Sequence, residues 1–261
     1  MIFSLINNQI TFQSKNPRIK KADDIARRAK KEYPMLSERY ANIYYNLDNK
    51  AISTKVDILC KKIGNTRSEY SNKVDTEHLI FNKKYKLLRS ILRILKRTKV
   101  GNCDENATVA YAALCANGYT NSEKVALFYE TQLFDKQHNK VLASAAEDFD
   151  HVFVITSMSN NLNDKKDIVV DNWLGFADST SGAIRKFKAI YTDDDFKIAE
   201  EKNIKKIKNK KRVKHYRNIR NCEYRSKLVL CPYGLANYCN FGPATPKEAK
   251  KIKERFTNLI I

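Results

Sequence analysis

No run of eighteen or more apolar residues occurs in the 261-residue sequence, so no segment reads as a membrane-spanning helix. The amino terminus, Met1-Ile2-Phe3-Ser4-Leu5-Ile6-Asn7-Asn8, has no charged start, no long apolar stretch and no small-residue cleavage site. No classical export signal is expected from it. Framework spacing is also missing from the six cysteines, Cys60, Cys103, Cys115, Cys222, Cys231 and Cys239. A chain this long does not need staples, so reduced thiols in a cytosolic compartment are expected rather than disulfides. His215, Cys222, Cys231 and Cys239 follow one another at spacings of seven, nine and eight, without the close cysteine pair of a structural zinc site, so no metal is expected. A glycine-rich phosphate loop and a dinucleotide fingerprint are absent too, and no cofactor is expected. Acidic residues are scarce relative to basic ones, 29 against 49, which leaves a net charge of +20. Such a surface attracts nucleic acid, anionic lipid or an acidic protein, and charge alone does not choose among them.

What is present is enough apolar material for a full core, 43% hydrophobic and 10% aromatic, which excludes general disorder and favours one large domain or one domain with helical additions. Residues 1–98 read as a helical amino-terminal portion. Apolar positions recur at helical spacing in Ile25-Ala26-Ala29, in Leu36-Tyr40-Ile43-Tyr44-Leu47 and in Tyr85-Leu88-Ile91-Leu92-Leu95, and only Gln9–Gln13 alternates like a strand. The character changes after Lys99-Val100-Gly101. A helix over 103–117 ends at Asn117-Gly118, a left-handed terminator, before a strand at Val125–Tyr129. A polar stretch at 135–139, the run His151–Thr156, a turn-rich segment at 159–164 and the run Ile168–Asp171 together predict an antiparallel hairpin. Residues 202–220 hold ten lysines or arginines and no acid, reading as a solvated helix, an exposed arm or an insertion. A strand at Lys227–Leu230 follows, and Thr245-Pro246-Lys247-Glu248 announces a last helix with a capping box. The expected core therefore spans 99–261, with the basic segment inside it and one continuous domain as the simpler alternative.

The chemistry centres on Gly101-Asn102-Cys103-Asp104-Glu105 at the helix start, Asp150-His151-Val152-Phe153-Val154 on one strand and Val169-Val170-Asp171-Asn172-Trp173 on the next. A cysteine attacks as thiolate, and the amides of a helix start favour that anion. Gly101 would let the backbone pass close to a substrate carbonyl, and Asn102 would cap the helix. Asp104 and Glu105 suit the helix dipole but oppose the thiolate, so a cation such as protonated His151 must offset them. In the hairpin, His151 and Asp171 fall at the same end of the sheet. The carboxylate would then hold one imidazole nitrogen and leave the other for the thiol, with Trp173 shielding the pair and Asn172 as a substitute orienter.

An isolated cysteine is ordinarily a small buried hydrophobe and a histidine opening a strand ordinarily a satisfied polar residue; the weight lies in the order of all three. His138 in its polar loop is the competing base, His78 and His215 sit in helical or basic contexts, and Cys115 on the buried face of the same helix is expected to be structural.

The Gly-Asn-Cys-Asp-Glu start, the Asp-His-Val-Phe-Val strand and the Val-Asp-Asn-Trp segment, within roughly residues 98–176, resemble the papain-like and transglutaminase-like cysteine enzymes, especially the divergent branch found among bacterial effectors delivered into host cells. The resemblance implies an α+β fold in which the helix carrying Cys103 packs on an antiparallel sheet, with a Cys103–His151–Asp171 triad supported by Asn102, Asn172 and Trp173. It also implies proteolysis, glutamine deamidation or transamidation of a host protein through an acyl-thioester, and transfer from a bacterial cytoplasm to host cytosol. The upstream Arg97-Thr98-Lys99-Val100 has no glutamine of the kind papain-type enzymes use for the oxyanion, which leaves the second donor unassigned.

A different class stays open beside the enzyme. The run from Lys205 to Arg217, with Tyr216 available for stacking, could neutralise phosphates of a nucleic acid, dock on anionic lipid through 202–220, or select an acidic partner protein. No recognised nucleic-acid motif accompanies it, so nucleic acid is the least expected of these partners.

Overall fold

The computed structural model describes residues 16–36, 57–58, 60–69, 84–157, 165–210, 222–232 and 241–260. The expected strand at Gln9–Gln13, most of the 36–47 helix, the turn at 159–164, the basic run from 211 to 220, and His78, His215 and Cys239 lie outside them. The described chain forms α1 (Pro17–Glu32), a helical segment at 60–69, α2 (Lys84–Thr98) and α3 (Cys103–Ala116). Next come β1 (Ser122–Asp135), β2 (Lys140–Ser157), β3 (Lys166–Asp171) and β4 (Phe176–Ser179). They are followed by α4 (Thr180–Ile190), α5 (Asp193–Asn209), β5 (Cys222–Pro232), α6 (Pro246–Arg255) and a 3-10 turn at Thr257–Leu259.

One sheet in the order β4-β3-β2-β1-β5 organises these elements, and every neighbouring pair runs antiparallel. Helices cover both faces. On one face Ala126, Val152, Val154, Ile168 and Val170 join α1, α2, α3 and α6 in the main core. On the other, Val125, Leu127, Phe153, Val169 and Leu228 meet Ala183 and Phe187 of α4. The fold is α+β. The predicted hairpin exists, with Val154 opposite Val170 and Thr156 opposite Ile168. The strands are longer than periodicity suggested. β2 begins at Lys140, and its residues Leu142–Glu147 stay half-buried without alternating, so no period of two announces them.

α3 is the central helix. Nearly every residue of it is buried, as expected for a helix apolar on all sides. Its alanines let α1 and the sheet approach closely, and it ends at Gly118 with φ +87°, the left-handed terminator read from the sequence. The amino-terminal helices share this core. α1 contributes Ile19, Ala22, Ile25, Ala26 and Ala29, and α2 contributes Leu88, Ile91, Leu92, Ile94 and Leu95, each at most 5% exposed. With roughly 1.5–3 kcal/mol for each fully buried large aliphatic side chain, α2 is fixed to α3 rather than appended to it.

Candidate active site

The loop before α3 sets the approach of Cys103. Leu36, just beyond α1, receives the Gly101 N–H and donates its own to Lys99 O, both at 3.0 Å. Lys99 takes a left-handed φ of 55°. Asn102 is the N-cap, and its backbone N–H donates to Glu105 Oε2 at 2.8 Å in a capping box. This folded-back glutamate explains Gly101: a Cβ there would lie 2.5 Å from Glu105 Cβ and 2.9 Å from Met35 Sδ. The glycine is needed for packing under the loop, where substrate approach was the expected reason.

Both acids beside the cysteine are neutralised locally. Asp104 Oδ1 accepts from Lys124 Nζ at 2.5 Å, and Lys124 is fully buried on β1, donating also to Thr108 Oγ1 at 3.1 Å. Glu105, 1% exposed, accepts a two-pronged pair from Arg67, at 2.9 and 3.3 Å. The sequence reading left this task to an imidazolium. Two cations from distant parts of the chain perform it, and neither spacing nor periodicity could have named them.

His151 and Asp171 are brought together. The imidazole Nε2 donates to Asp171 Oδ2 at 2.6 Å, with the two side chains 3% and 1% exposed. Asp171 Oδ1 accepts from the backbone N–H groups of Trp173 and Leu174 at 3.1 and 2.9 Å. The turn closes with Gly175, φ +82°, whose N–H donates to Asp171 O at 2.8 Å. Three donors thus compensate the desolvated carboxylate. With Nε2–H committed to it, the neutral ring carries its lone pair on Nδ1. Nδ1 is buried and has no hydrogen-bond partner among the described residues. Aromatic rings enclose the imidazole, with Trp173 at 5.2 Å, Phe153 at 5.5 Å and Phe187 edge-on at 5.4 Å. Of the three rings, Trp173 lies closest.

Lys30 of α1 is a member of this cluster that the sequence reading missed. Its Nζ donates to Trp173 O at 3.3 Å. Burial lowers its pKa, and the nearby Asp171 charge pulls it partly back. On the same helix Asp23 Oδ1 accepts the Ala177 N–H at 3.0 Å, so α1 grips the β3–β4 turn at two points. A lysine among many on an amphipathic helix carries no sequence mark of such a role.

Asn172 is not an orienter of His151. One position on from Asp171, it points to the opposite sheet face, where Nδ2 donates to Asn106 Oδ1 at 3.4 Å. Asn106 Nδ2 in turn donates to Asn102 O at 2.8 Å. This asparagine chain ties the start of α3 to the turn carrying Asp171, and Asn172 Oδ1 is buried without a partner among the described residues.

Cys103 comes to the main chain of β2 beside His151, not to its ring. Its Sγ–H donates to Asp150 O at 3.5 Å, and the Val152 N–H faces the sulfur. Val152 lies on the α3 face, whereas His151 shares the α4 face with Phe153. An irregularity marks this place: between the pairs Ala126–Val152 and Phe128–Asp148 the register shifts. Asp150 there adopts a φ of 50°, with its N–H on Asp148 Oδ1 at 2.8 Å. Such bulges twist a strand and re-aim its side chains. Burial pushes the Cys103 thiol up to about 12, opposed by the Val152 N–H and reinforced by Asp104, Asp150 and Glu105.

The remaining candidates fall elsewhere. His138 caps the far β1–β2 turn, its Nδ1 on Asp135 Oδ2 at 2.7 Å and its side chain 60% exposed. Cys115 is buried twelve residues along α3. Residues 202–209 of the basic segment form the end of α5. Among the described residues, no cluster of side chains fit to hold a metal occurs and no helix is long and apolar enough to cross a membrane. No family profile, no curated protein and no solved structure matches this chain.

Proposed function

We propose that the chain is a thiol enzyme that attacks amide bonds through an acyl-thioester, with Cys103 as nucleophile, His151 as base and Asp171 as orienter. The observation that carries this reading is the His151–Asp171 pair. A buried carboxylate fixes the imidazole through Nε2, and the buried Nδ1 is unpaired among the described residues, in the residue whose flanking main chain receives the Cys103 thiol. An unsatisfied buried nitrogen costs about 1–3 kcal/mol, and a proton-accepting role accounts for that cost.

In the proposed cycle the thiol leaves the Asp150 carbonyl and passes its proton to Nδ1. The thiolate attacks the amide carbon, while the Cys103 N–H at the helix start faces the developing oxyanion. Nδ1–H then protonates the leaving nitrogen, and water or an amine resolves the thioester, restoring the thiol. A papain-like or transglutaminase-like arrangement of helix and sheet belongs to the same reading. So do a protein substrate with an acidic surface, drawn by the net charge of +20, and delivery into a host cell as a bacterial effector. The reaction is proteolysis, deamidation or transamidation according to acyl donor and acceptor.

The test is alkylation of the native protein with iodoacetamide across pH 4 to 9, read at each cysteine by mass spectrometry, for wild type, His151→Ala and Asp171→Asn. The proposal expects Cys103, its resting thiol raised by burial, to react more slowly than the exposed Cys60 but measurably by pH 9, and to slow several-fold further in both variants while Cys60 is unchanged. A Cys103 rate that is the same in all three proteins overturns it and leaves a binding module, guided by its basic surface, as the better description.

A further inference from the structure

A cavity of about 350 Å³ opens at the carboxyl end of α3, between that helix, α1 and α6, about 20 Å along the helix from Cys103 at 1.5 Å per residue. Its wall is largely apolar, formed by Cys115, Ala116, Ala249 and Ile260, and Lys21, Lys250 and Lys253 stand around it. No carboxylate lines it, and none of the three ammonium groups has an ion-pair partner among the described residues. That sets them apart from Lys124, Lys166, Lys186 and Lys206, each of which meets an acid. Asn117 on the rim is held by its own helix end and the 3-10 turn, with Nδ2 donating to Ala113 O and Leu259 O.

Three exposed like charges around one open, apolar-walled hollow make the potential at its mouth positive, and the volume sits at the small end of ligand sites. A plain inorganic anion would leave the apolar wall uncovered, and a neutral apolar molecule would leave the charges unanswered. We propose that this cavity binds an anion bearing a short alkyl chain, with the lysines meeting the anionic group and the Ala116, Ala249 and Ile260 wall meeting the chain. The site is independent of the thiol chemistry at the other end of α3.

Calorimetric titration of the full chain with sodium decanoate tests it, with decanol and inorganic phosphate as matched probes. Decanoate is expected to bind, and decanol and phosphate at least tenfold more weakly. Lys250→Gln/Lys253→Gln should weaken decanoate roughly tenfold or more, as loss of charge-assisted contacts does. Ala249→Leu, which fills the cavity without changing charge, should weaken it comparably. Lys202→Gln/Lys205→Gln, removing the same charge from exposed positions on α5, should leave binding unchanged. The proposal is overturned by absence of decanoate binding, by equal affinity for decanol or phosphate, or by equal loss in the α5 variant. Sedimentation with phosphatidylglycerol vesicles distinguishes the source: co-sedimentation lost in Lys250→Gln/Lys253→Gln supports a lipid headgroup as the natural anion, and decanoate binding without co-sedimentation supports a free acid.

Discussion

Replacing Cys103 with alanine should alter how stability depends on pH, because the folded and unfolded chains hold the thiol proton differently. In the folded protein the thiol is pushed from 9.0 to about 12, first by burial and then by three acids. Above pH 9 the unfolded chain therefore releases a proton that the folded chain retains. The stabilisation from the protonated native thiol is complete below pH 9 and is lost as pH rises towards 12, at about 1.4 kcal/mol per unit. Cys103→Ala has no such proton. The difference in unfolding free energy, wild type minus variant, should be flat from pH 7 to 8.5 and fall by about 1.4 kcal/mol by pH 10. Every other titrating group distant from the site cancels in that difference. Urea unfolding of both proteins at pH 7.5, 9 and 10 under reductant measures it. A difference that rises with pH below 9 would refute the reasoning, since it would mean that the native thiol already ionises more easily than the unfolded one. A difference flat to pH 10 would refute it as well, by showing no raised pKa.

Lys124→Met keeps the buried volume but strands Asp104, which is only 16% exposed. A loss of about 3 kcal/mol is expected, at least half of it recovered in Lys124→Met/Asp104→Asn, as read from urea midpoints. Gly101→Ala should cost about 2 kcal/mol by forcing Cβ against Glu105 and Met35, and a midpoint within 0.5 kcal/mol of wild type, about the scatter of neutral surface changes, would contradict that contact. Lys30 carries a pKa lowered by burial, so the folded chain gives up that proton first and wild type should gain stability relative to Lys30→Met as pH rises towards 10.5. Parallel denaturation at pH 8 and pH 10 reads the sign: a flat difference would place Lys30 in water, and a falling one would mean a raised pKa.

Features encoded by local periodicity were legible in the sequence. The α3 bounds follow from a run of small and apolar residues between an asparagine cap and Gly118, and the β2–β3 hairpin follows from two apolar runs around a turn-rich segment. The His151–Asp171 contact follows from the hairpin, because antiparallel pairing returns the chain to the same end of the sheet. What was not legible depends on long-range partners. Lys124 with Asp104 and Arg67 with Glu105 join residues 20 and 38 positions apart. The grip of Lys30 on the Asp171 turn spans 143 positions. Nothing in a helical or strand period selects one lysine among many for such a contact.

The bulge at Asp150 is the point where sequence and structure part most usefully. Strict alternation through Asp148-Phe149-Asp150-His151 would carry each side chain to the face opposite its neighbour, but the left-handed Asp150 interrupts that count. Beyond it, parity resumes. His151 and Phe153 face α4, Val152 and Val154 face α3, and on β3 the same parity puts Asp171 with His151 and Asn172 with Asn106. A one-residue difference on either strand would pair the histidine with the wrong residue and leave the carboxylate buried alone. Cys103 approaches from the α3 side and stops at the main chain that the bulge exposes, where the thiol is neutral and hydrogen-bonded to Asp150 O. The resting thiol and the imidazole therefore lie on opposite faces of β2, with the strand's main chain between them.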